Sequence, residues 1–246
     1  MSTKAQRRAE AIAQRKRAAD AASARQRRNR LALWGGLAVV VVVASIVAVV
    51  ASGGGDDSSA KATSFETHAV TVDGTPLPSY DSTKSPDPGI GKTIPTLEGV
   101  SVLDGKPVTV KPTGKPQMVL FVAHWCPHCQ AEVPRLVDLA KQGVFDGVEV
   151  TAVATGTNSA YPNYPPSAWL EGVKWPFPVL ADSPQFTAAT AYGLSAYPYF
   201  VLVNPDGTVA ARATGEVPID QIKADLEALK AGTSIPLSSG ASSSAP

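Results

Sequence analysis

Two cysteines separated by two residues carry the clearest chemical signal of this 246-residue chain. They are the only cysteines in the sequence, Cys126 and Cys129, and the residues between them are Pro127 and His128. On a helix this spacing places the two thiols about one turn apart, within reach of each other for a disulfide. Such a pair can serve as a redox couple, a structural disulfide or part of a metal site. The elements around the pair decide among these uses.

The pair is predicted at the junction of a buried strand and a helix. Residues 118–123 (MVLFVA) form an apolar run typical of a central parallel strand. Residues 127–142 carry apolar side chains at helical spacing. Cys126 then stands at the helix N-terminus, where unpaired N–H groups and the positive end of the dipole stabilise a thiolate. We therefore expect Cys126 to be the attacking thiol and Cys129 the resolving thiol, and the two to form a disulfide when oxidised.

Other uses of the two cysteines are disfavoured but stay open. A structural disulfide would close only a very short loop and contribute little stability. His124, Cys126, His128 and Cys129 include ligand types that suit copper or zinc, but His124 ends the strand and His128 falls in the first helical turn. Two unrelated buried thiols, or a redox-inert binding module, are further alternatives. We expect no metal and no organic cofactor.

The rest of the chain after residue 90 predicts an α/β fold with strands and helices in alternation. The Asp104-Gly105 pair between two weak strand signals predicts a hairpin. A helix is expected from Asp182 to Gly193, with Pro184 near its start. The remaining expected strands are 148–154, 177–181, 199–203 and 208–214, after a first short strand near 68–72; the other helices are 167–172 and 218–231.

The distribution of charge predicts a membrane anchor. Residues 1–30 carry ten Lys or Arg and two acidic residues, a net charge of +8, whereas the rest carries −7. The following 21 residues, 31–51, contain no charge and are long enough to span a bilayer as a helix. Basic flanks stay cytoplasmic, so the N-terminus is expected inside and the catalytic domain outside, as a single-pass cell-membrane protein. A signal peptide cleaved near Ala51 is the alternative.

The composition also limits the partners and the organisation. Nucleic-acid binding is not expected, because the basic charge is confined to one short tail. Hydrophobic residues make up 44% of the chain, enough for a buried core. The expected segments are a basic cytoplasmic tail (1–30), a transmembrane helix (31–51), a tether with a Pro-rich approach (52–90), a folded domain (91–231) and a disordered tail (232–246).

The segment from Trp125 to Pro134, WCPHCQAEVP, resembles the W-C-x-x-C-x-x-E-x-P motif of a particular family. It is similar to the membrane-anchored TlpA/ResA-type thiol-disulfide oxidoreductases of the thioredoxin-like superfamily, over about residues 91–231. The resemblance implies a three-layer thioredoxin-like fold with a central mixed sheet. It also implies protein thiol or disulfide substrates and a redox recycling partner, which can lie in the membrane.

The resemblance assigns roles to further residues. Glu132 matches the acidic position of this branch and is expected to assist proton transfer; the alternative is a solvated helix carboxylate. Tyr197-Pro198 fits the family's cis-proline position, whose preceding backbone pairs with substrate. Trp125 is expected to shield the pair. The Pro127-His128 dipeptide matches DsbA-type oxidases, so His128 is expected beside the Cys126 thiolate, favouring the oxidising direction. The alternative is a reductant in cytochrome maturation.

Overall fold

The computed structural model describes residues 65–235. The predicted basic tail, the predicted transmembrane helix and most of the tether fall within residues 1–64, outside the described residues. The same holds for residues 236–246 of the predicted C-terminal tail. No helix within residues 65–235 is long and apolar enough to cross a membrane.

The described part contains eight strands and four helices. The strands are β1 (Thr71–Asp73), β2 (Thr96–Val100), β3 (Pro107–Val110), β4 (Gln117–Val122), β5 (Glu149–Ala154), β6 (Val179–Ala181), β7 (Tyr199–Val203) and β8 (Val209–Thr214). The helices are α1 (Pro127–Lys141), α2 (Pro166–Gly172), α3 (Thr187–Ala191) and α4 (Ile219–Ala231).

A five-stranded sheet in the order β6-β5-β4-β7-β8 forms the centre of the domain. Strand β4 pairs in parallel with β5 and antiparallel with β7. Every residue of β4 and of β7 is buried, which explains why both strands read as continuous apolar runs. The predicted mixed central sheet is confirmed.

Layers of structure cover both faces of this sheet. Helices α1, α2 and α4 pack on one face through residues that include Leu136, Leu170 and Leu226. Helix α3 and the small antiparallel sheet β1-β2-β3 cover the other face, with Tyr192 and Leu97 among the buried residues. The result is a three-layer α/β arrangement in which the β4–α1 junction lies at one edge of the central sheet.

The chain before residue 91 is part of the packed domain rather than an irregular approach to it. Strand β1 pairs with β2, and the Tyr80 N–H donates to the Gly193 carbonyl at 2.8 Å. A Cβ atom at Gly193 would lie 2.3 Å from the Pro78 carbonyl oxygen, so only glycine permits this close approach. Asp87 forms a buried ion pair with Arg212 of β8. The described fold therefore begins earlier than the expected boundary at residue 91.

Helix α3 is shorter than the helix expected from Asp182 to Gly193. Phe186 adopts a left-handed conformation, with φ 59° and ψ 38°, which ends any helical path from Pro184 onward. The Asp182 carboxylate accepts the Ala188 N–H at 2.8 Å and so caps the helix from a distance of six residues. The Asp-Ser-Pro sequence therefore forms a turn that precedes the helix instead of its first residues.

Candidate active site

The thiol pair lies at the start of α1, directly after β4. Cys126 is the N-cap residue of the helix and Pro127 follows it in the first turn, where its missing N–H costs no hydrogen bond. The Cys126 N–H donates to the Ala123 carbonyl at 3.0 Å, and the Gln130 N–H donates to the Cys126 carbonyl at 3.0 Å. These bonds turn the chain from strand into helix. They place the Cys126 sulfur at the N-terminal, positive end of α1.

The two thiols differ in their surroundings. Both are free thiols in this structure; Cys126 retains 6% exposure and Cys129 has none. The Ala123 N–H donates to the Cys129 sulfur at 3.5 Å. Burial raises the pKa of the Cys129 thiol well above its usual range, and the neighbouring Cys126 and Glu132 raise it further, while the Ala123 N–H opposes this. Cys129 is therefore held as a protonated thiol behind the more accessible Cys126.

The Tyr197–Pro198 peptide bond lies at the same edge of the sheet and is cis. Pro198 directly precedes β7, and Tyr199 at the start of β7 pairs with Phe121 near the end of β4. The β4 residues then lead into Cys126, so the cis-proline and the thiol pair share one edge. The Pro198 carbonyl accepts the Gly215 N–H at 2.9 Å, and this hydrogen bond ties the turn to the residue that follows β8.

Trp125 is held by its neighbours rather than exposed as a free ring. Its Nε1–H donates to the Gly156 carbonyl at 2.7 Å. Its ring lies edge-on to Tyr197, with centroids 5.8 Å apart, and tilted against Tyr161 at 5.4 Å. These contacts hold the three aromatic rings together on the side of the site next to Trp125.

His128 lies in the first turn of α1, as expected, and has a partner that was not expected. Its ring is exposed, and Nδ1 lies 2.8 Å from Oε1 of Glu216, in the loop between β8 and α4. Nδ1 of His128 is thus engaged by a carboxylate. Glu216 lies 88 residues from His128 in the sequence, and no sequence pattern predicted this contact.

Glu132 is fully buried, so the alternative of a solvated helix carboxylate is wrong. It lies one turn beyond Cys129 and is hydrogen-bonded by Arg135 Nη1 at 2.6 Å and by the Val217 N–H at 3.2 Å. Burial raises the pKa of this carboxyl, and the Val217 N–H and the Arg135 charge oppose that rise only in part. A carboxyl of raised pKa next to a buried thiol is suited to proton exchange.

A second chain of contacts joins Glu132 to the exposed histidine. Arg135 Nη1 lies 3.7 Å from Glu216 Oε2, and Glu216 in turn contacts His128. Four charged or titratable groups, Glu132, Arg135, Glu216 and His128, thus run from the buried side of α1 to its surface. Arg135 and Glu216 were not among the residues selected from the sequence.

The metal alternative finds no support in the ring contacts of the two histidines. Nε2 of His124 accepts the Asn158 N–H at 3.2 Å, so Nδ1 carries the proton and donates to the Pro162 carbonyl at 2.7 Å. Both ring nitrogens of His124 are therefore already engaged, and Nδ1 of His128 is engaged by Glu216. Residues 65–235 contain no group of three or more His, Cys, Asp or Glu side chains arranged to hold a metal ion.

The fold and the site together define a thioredoxin-like protein with a redox-type thiol pair at the N-terminus of a helix. The sequence pattern of the AhpC/TSA family matches residues 90–212, and the chain belongs to this family. It is 31% identical over 140 residues to the thiol-disulfide oxidoreductase ResA of Bacillus anthracis, covering 56% of this chain and 77% of that protein.

Other relatives agree with this assignment. The chain is 28% identical over 139 residues to the thiol:disulfide interchange protein DsbE of Pseudomonas aeruginosa, covering 56% of this chain and 73% of the relative. A crystal structure of an uncharacterized conserved protein from Geobacillus kaustophilus superposes with a TM-score of 0.53 at 25% identity, covering 60% of this chain and 85% of that one. The expected thioredoxin-like fold and the expected enzyme class, a protein thiol-disulfide oxidoreductase, are confirmed.

Proposed function

We propose that this protein exchanges disulfides with protein substrates through Cys126 and Cys129, in the oxidising direction. The observation that carries the proposal is the pairing of a more accessible thiol at the N-cap of α1 with a fully buried thiol one turn later. The Tyr197–Pro198 turn supports it, because it leads into β7 at the same sheet edge and the family resemblance implies that its backbone pairs with an extended substrate.

The exchange proceeds through a mixed disulfide. A substrate thiolate attacks the Cys126 sulfur of the oxidised pair, the Cys126–Cys129 bond breaks, and Cys129 leaves and takes up a proton. A second substrate thiolate then attacks the substrate sulfur of the mixed disulfide and releases Cys126 as a thiolate. The substrate has lost two electrons to the pair and gained a disulfide. A recycling partner, itself a thiol-disulfide protein or a membrane oxidase, takes the two electrons away.

Glu132 is proposed as the group that exchanges the proton with Cys129. The burial of Cys129 makes its thiolate unstable, so the leaving sulfur needs a proton when the pair is reduced. Glu132 lies one turn away on the same buried side of α1, and burial raises the pKa of its carboxyl, which favours the protonated form that can donate. In the reverse reaction the same carboxylate accepts that proton.

The direction of exchange is proposed from the groups that surround Cys126. The N-terminus of α1 favours a thiolate at Cys126, as would the imidazolium form of His128, and stabilising the reduced form makes the disulfide a stronger oxidant. A reduction potential near that of thioredoxin, about −270 mV, would instead assign the reducing direction.

The proposed location is the outer side of a membrane, with residues 31–51 as the anchor. The support is the uncharged span next to a tail of net charge +8. Protease added to intact cells or spheroplasts should remove the C-terminal domain and leave the tail protected. Protection of the whole chain would contradict this topology, and a secreted form starting near Ser52 would favour cleavage.

Trapping of mixed disulfides tests the proposed chemistry. Cys129→Ser removes the resolving thiol, so this variant should accumulate substrates bound to Cys126 that are released by reductant. Cys126→Ser is the matched control. It also retains one cysteine, but it should accumulate no bound substrate. Equal trapping by both variants, or trapping by neither, would contradict the assigned roles.

A further inference from the structure

We propose that residues 156–165, here called the tyrosine loop, are a recognition surface for an extended, uncharged substrate segment that carries an aromatic or proline ring beside its cysteine. We assign to His124 the role of a positioning residue that holds this loop against the site. The inference rests on the proposed thiol-disulfide exchange and names the kind of substrate that the exchange favours.

His124 fastens the tyrosine loop at two points. The side chain is 1% exposed; Nδ1–H donates to the Pro162 carbonyl at 2.7 Å, and Nε2 accepts the Asn158 N–H at 3.2 Å. The His124 carbonyl also accepts a hydrogen bond from Asn163 Nδ2 at 3.3 Å. Because backbone groups on both sides of the loop tip bind one ring, the neutral Nδ1–H tautomer of His124 fixes the conformation of the tip.

The same loop is fastened a second time by the residue before Cys126. Trp125 donates to the Gly156 carbonyl at 2.7 Å, and its ring packs against Tyr161. A Cβ atom at Gly156 would lie 3.1 Å from Tyr197 Oη, 3.6 Å from Phe186 Cε1 and 3.7 Å from Trp125 Cζ2. The first residue of the loop is therefore surrounded by the rings of Trp125, of Phe186 just before α3, and of Tyr197.

The exposed rings of the described residues are concentrated here. Within residues 65–235 the exposed large hydrophobic side chains are Tyr161 at 51%, Phe186 at 46% and Tyr164 at 43%. Two of them belong to the tyrosine loop, and the third lies against Gly156 at its base. Exposed aromatic side chains in such a cluster are typical of a surface that binds another protein.

The charge on this side of the site indicates the chemistry of the partner. Residues 150–170 and 183–205 contain no Asp, Glu, Lys or Arg. Two carboxylates face this region from other elements, Glu66 at Ser167 and Asp182 before Phe186, and both are buried and already hydrogen-bonded. The charged groups around the thiols belong to α1 and to the loop after β8. A substrate segment lying over the tyrosine loop therefore meets rings and backbone rather than an exposed charge of the loop, so an uncharged segment loses least on binding. Aromatic and proline rings give the largest contact with tyrosine faces.

Exchange rates with matched peptides test this recognition. Oxidised full-length protein is reacted with two cysteine peptides, one with Tyr and Pro beside the cysteine and one with Asp and Lys there. The exchange rates of the two peptides are compared. Reduced dithiothreitol, a small thiol, serves as the reference reductant. The wild type should react faster with the aromatic peptide, with a preference that falls roughly two- to tenfold in Tyr161→Ser and again in Tyr164→Ser. Because the Tyr161 ring contacts Trp125 and the Tyr164 ring contacts His124, an unchanged rate with dithiothreitol is required to show that the site itself is intact in each variant.

The role of His124 is tested with graded variants. His124→Leu loses both contacts to the loop, whereas His124→Asn keeps a donor near the position of Nδ1. The aromatic preference should fall in the order wild type, His124→Asn, His124→Leu, through KM for the aromatic peptide rather than through kcat. His68→Gln, a change at an exposed histidine whose side chain contacts the carbonyl of its neighbour Ala69, is the control and should retain the preference.

The outcomes separate this inference from the proposed function. If the wild type reacts with neither peptide nor dithiothreitol, the proposed exchange is wrong and the recognition surface falls with it. If the protein reacts with dithiothreitol but treats the two peptides alike, or if the preference survives both tyrosine substitutions, only the recognition surface is wrong. An unchanged KM in His124→Leu would overturn the positioning role of His124.

Discussion

Nδ1 of His128 and Oε1 of Glu216 lie 2.8 Å apart and tie the residues between the two cysteines to the turn after β8. The sequence predicts His128 beside the Cys126 thiolate, and the structure shows that its ring also contacts the Glu216 carboxylate. Since Glu216 also contacts Arg135, the charge next to Cys126 depends on residues from two distant parts of the chain.

A double-mutant cycle on this ion pair should show coupling in the reduction potential. His128→Thr removes the imidazole beside Cys126, so the potential should fall at a pH where that ring is protonated, by up to about 20 mV if the interaction is worth about 0.2–1 kcal/mol as for exposed ion pairs. In a Glu216→Gln background the same substitution should have a different effect, since the partner is gone. Lys141→Ser, which breaks an exposed ion pair to Asp138 on the same helix, is the control and should leave the potential unchanged. Strictly additive effects would contradict the coupling.

Glu132→Gln should change how the stability of the domain depends on pH. The folded-state pKa of Glu132 is raised above its ordinary value of 4.5, first by burial. This group therefore stabilises the fold fully below about pH 4.5, and that contribution is lost as the pH rises through the raised folded-state pKa. Wild type should lose stability relative to Glu132→Gln over this window, measured by urea unfolding at a series of pH values. A difference between the two proteins that is constant with pH would contradict the raised pKa.

The resolving step gives a kinetic test of the same carboxyl. Glu132→Gln retains an acceptor for the Val217 N–H but removes the exchangeable proton. The resolving attack of Cys129 on a mixed disulfide at Cys126 requires Cys129 to lose its proton, so this step should slow by roughly 10²- to 10⁴-fold if general acid–base catalysis operates. Stopped-flow measurement of this step, with formation of the mixed disulfide at Cys126 from reduced protein and a disulfide probe as the internal reference, distinguishes it from a general loss of activity. Equal slowing of both steps would argue against a role specific to Cys129.

Asp87→Asn should destabilise the domain strongly, because it leaves the buried Arg212 charge without its partner. Arg212 Nε donates to Asp87 Oδ2 at 2.7 Å, and Nη1 donates to the Pro78 carbonyl at 2.7 Å. Breaking a buried pair from one side costs about 3–5 kcal/mol in the free energy of unfolding. Asp81→Asn, at an exposed pair with Lys84, is the matched control and should change little. A small effect of Asp87→Asn would mean that residues 78–87 contribute little to the fold.

The elements next to the cysteines could be predicted from the sequence because their signals are local. The apolar runs of β4 and β7 and the helical spacing of α1 each fit a single type of buried element, and Cys126 follows from their junction. The Pro127 ring and the Gly after α4 mark helix ends in the same local way. These features depend on neighbours within a few residues, so propensity and pattern determine them.

The contacts that the sequence did not predict are long-range. Glu216 lies 88 residues from His128, and the Asp87 partner of Arg212 lies 125 residues away. No periodic pattern connects such pairs, because each is created when separate elements meet at the sheet edge. The left-handed Phe186 that shortens α3 is a departure from propensity, stabilised by the capping bonds of Asp182. From the sequence, His124 was a possible metal ligand. Its hydrogen bonds to the tyrosine loop could not be predicted, because they depend on how that loop folds.

Redox titration of the full-length protein tests the central claim most directly, that Cys126 and Cys129 form one reversible two-electron couple. In glutathione buffers of graded ratio, the fraction of protein resistant to thiol alkylation should follow a single two-electron curve. Its midpoint should lie above the value of thioredoxin, about −270 mV, and peptide mapping should identify the Cys126–Cys129 disulfide. The transition should vanish in Cys126→Ser and in Cys129→Ser. A wild type that stays fully alkylatable at every ratio, or one that forms disulfides only between molecules, would contradict the account.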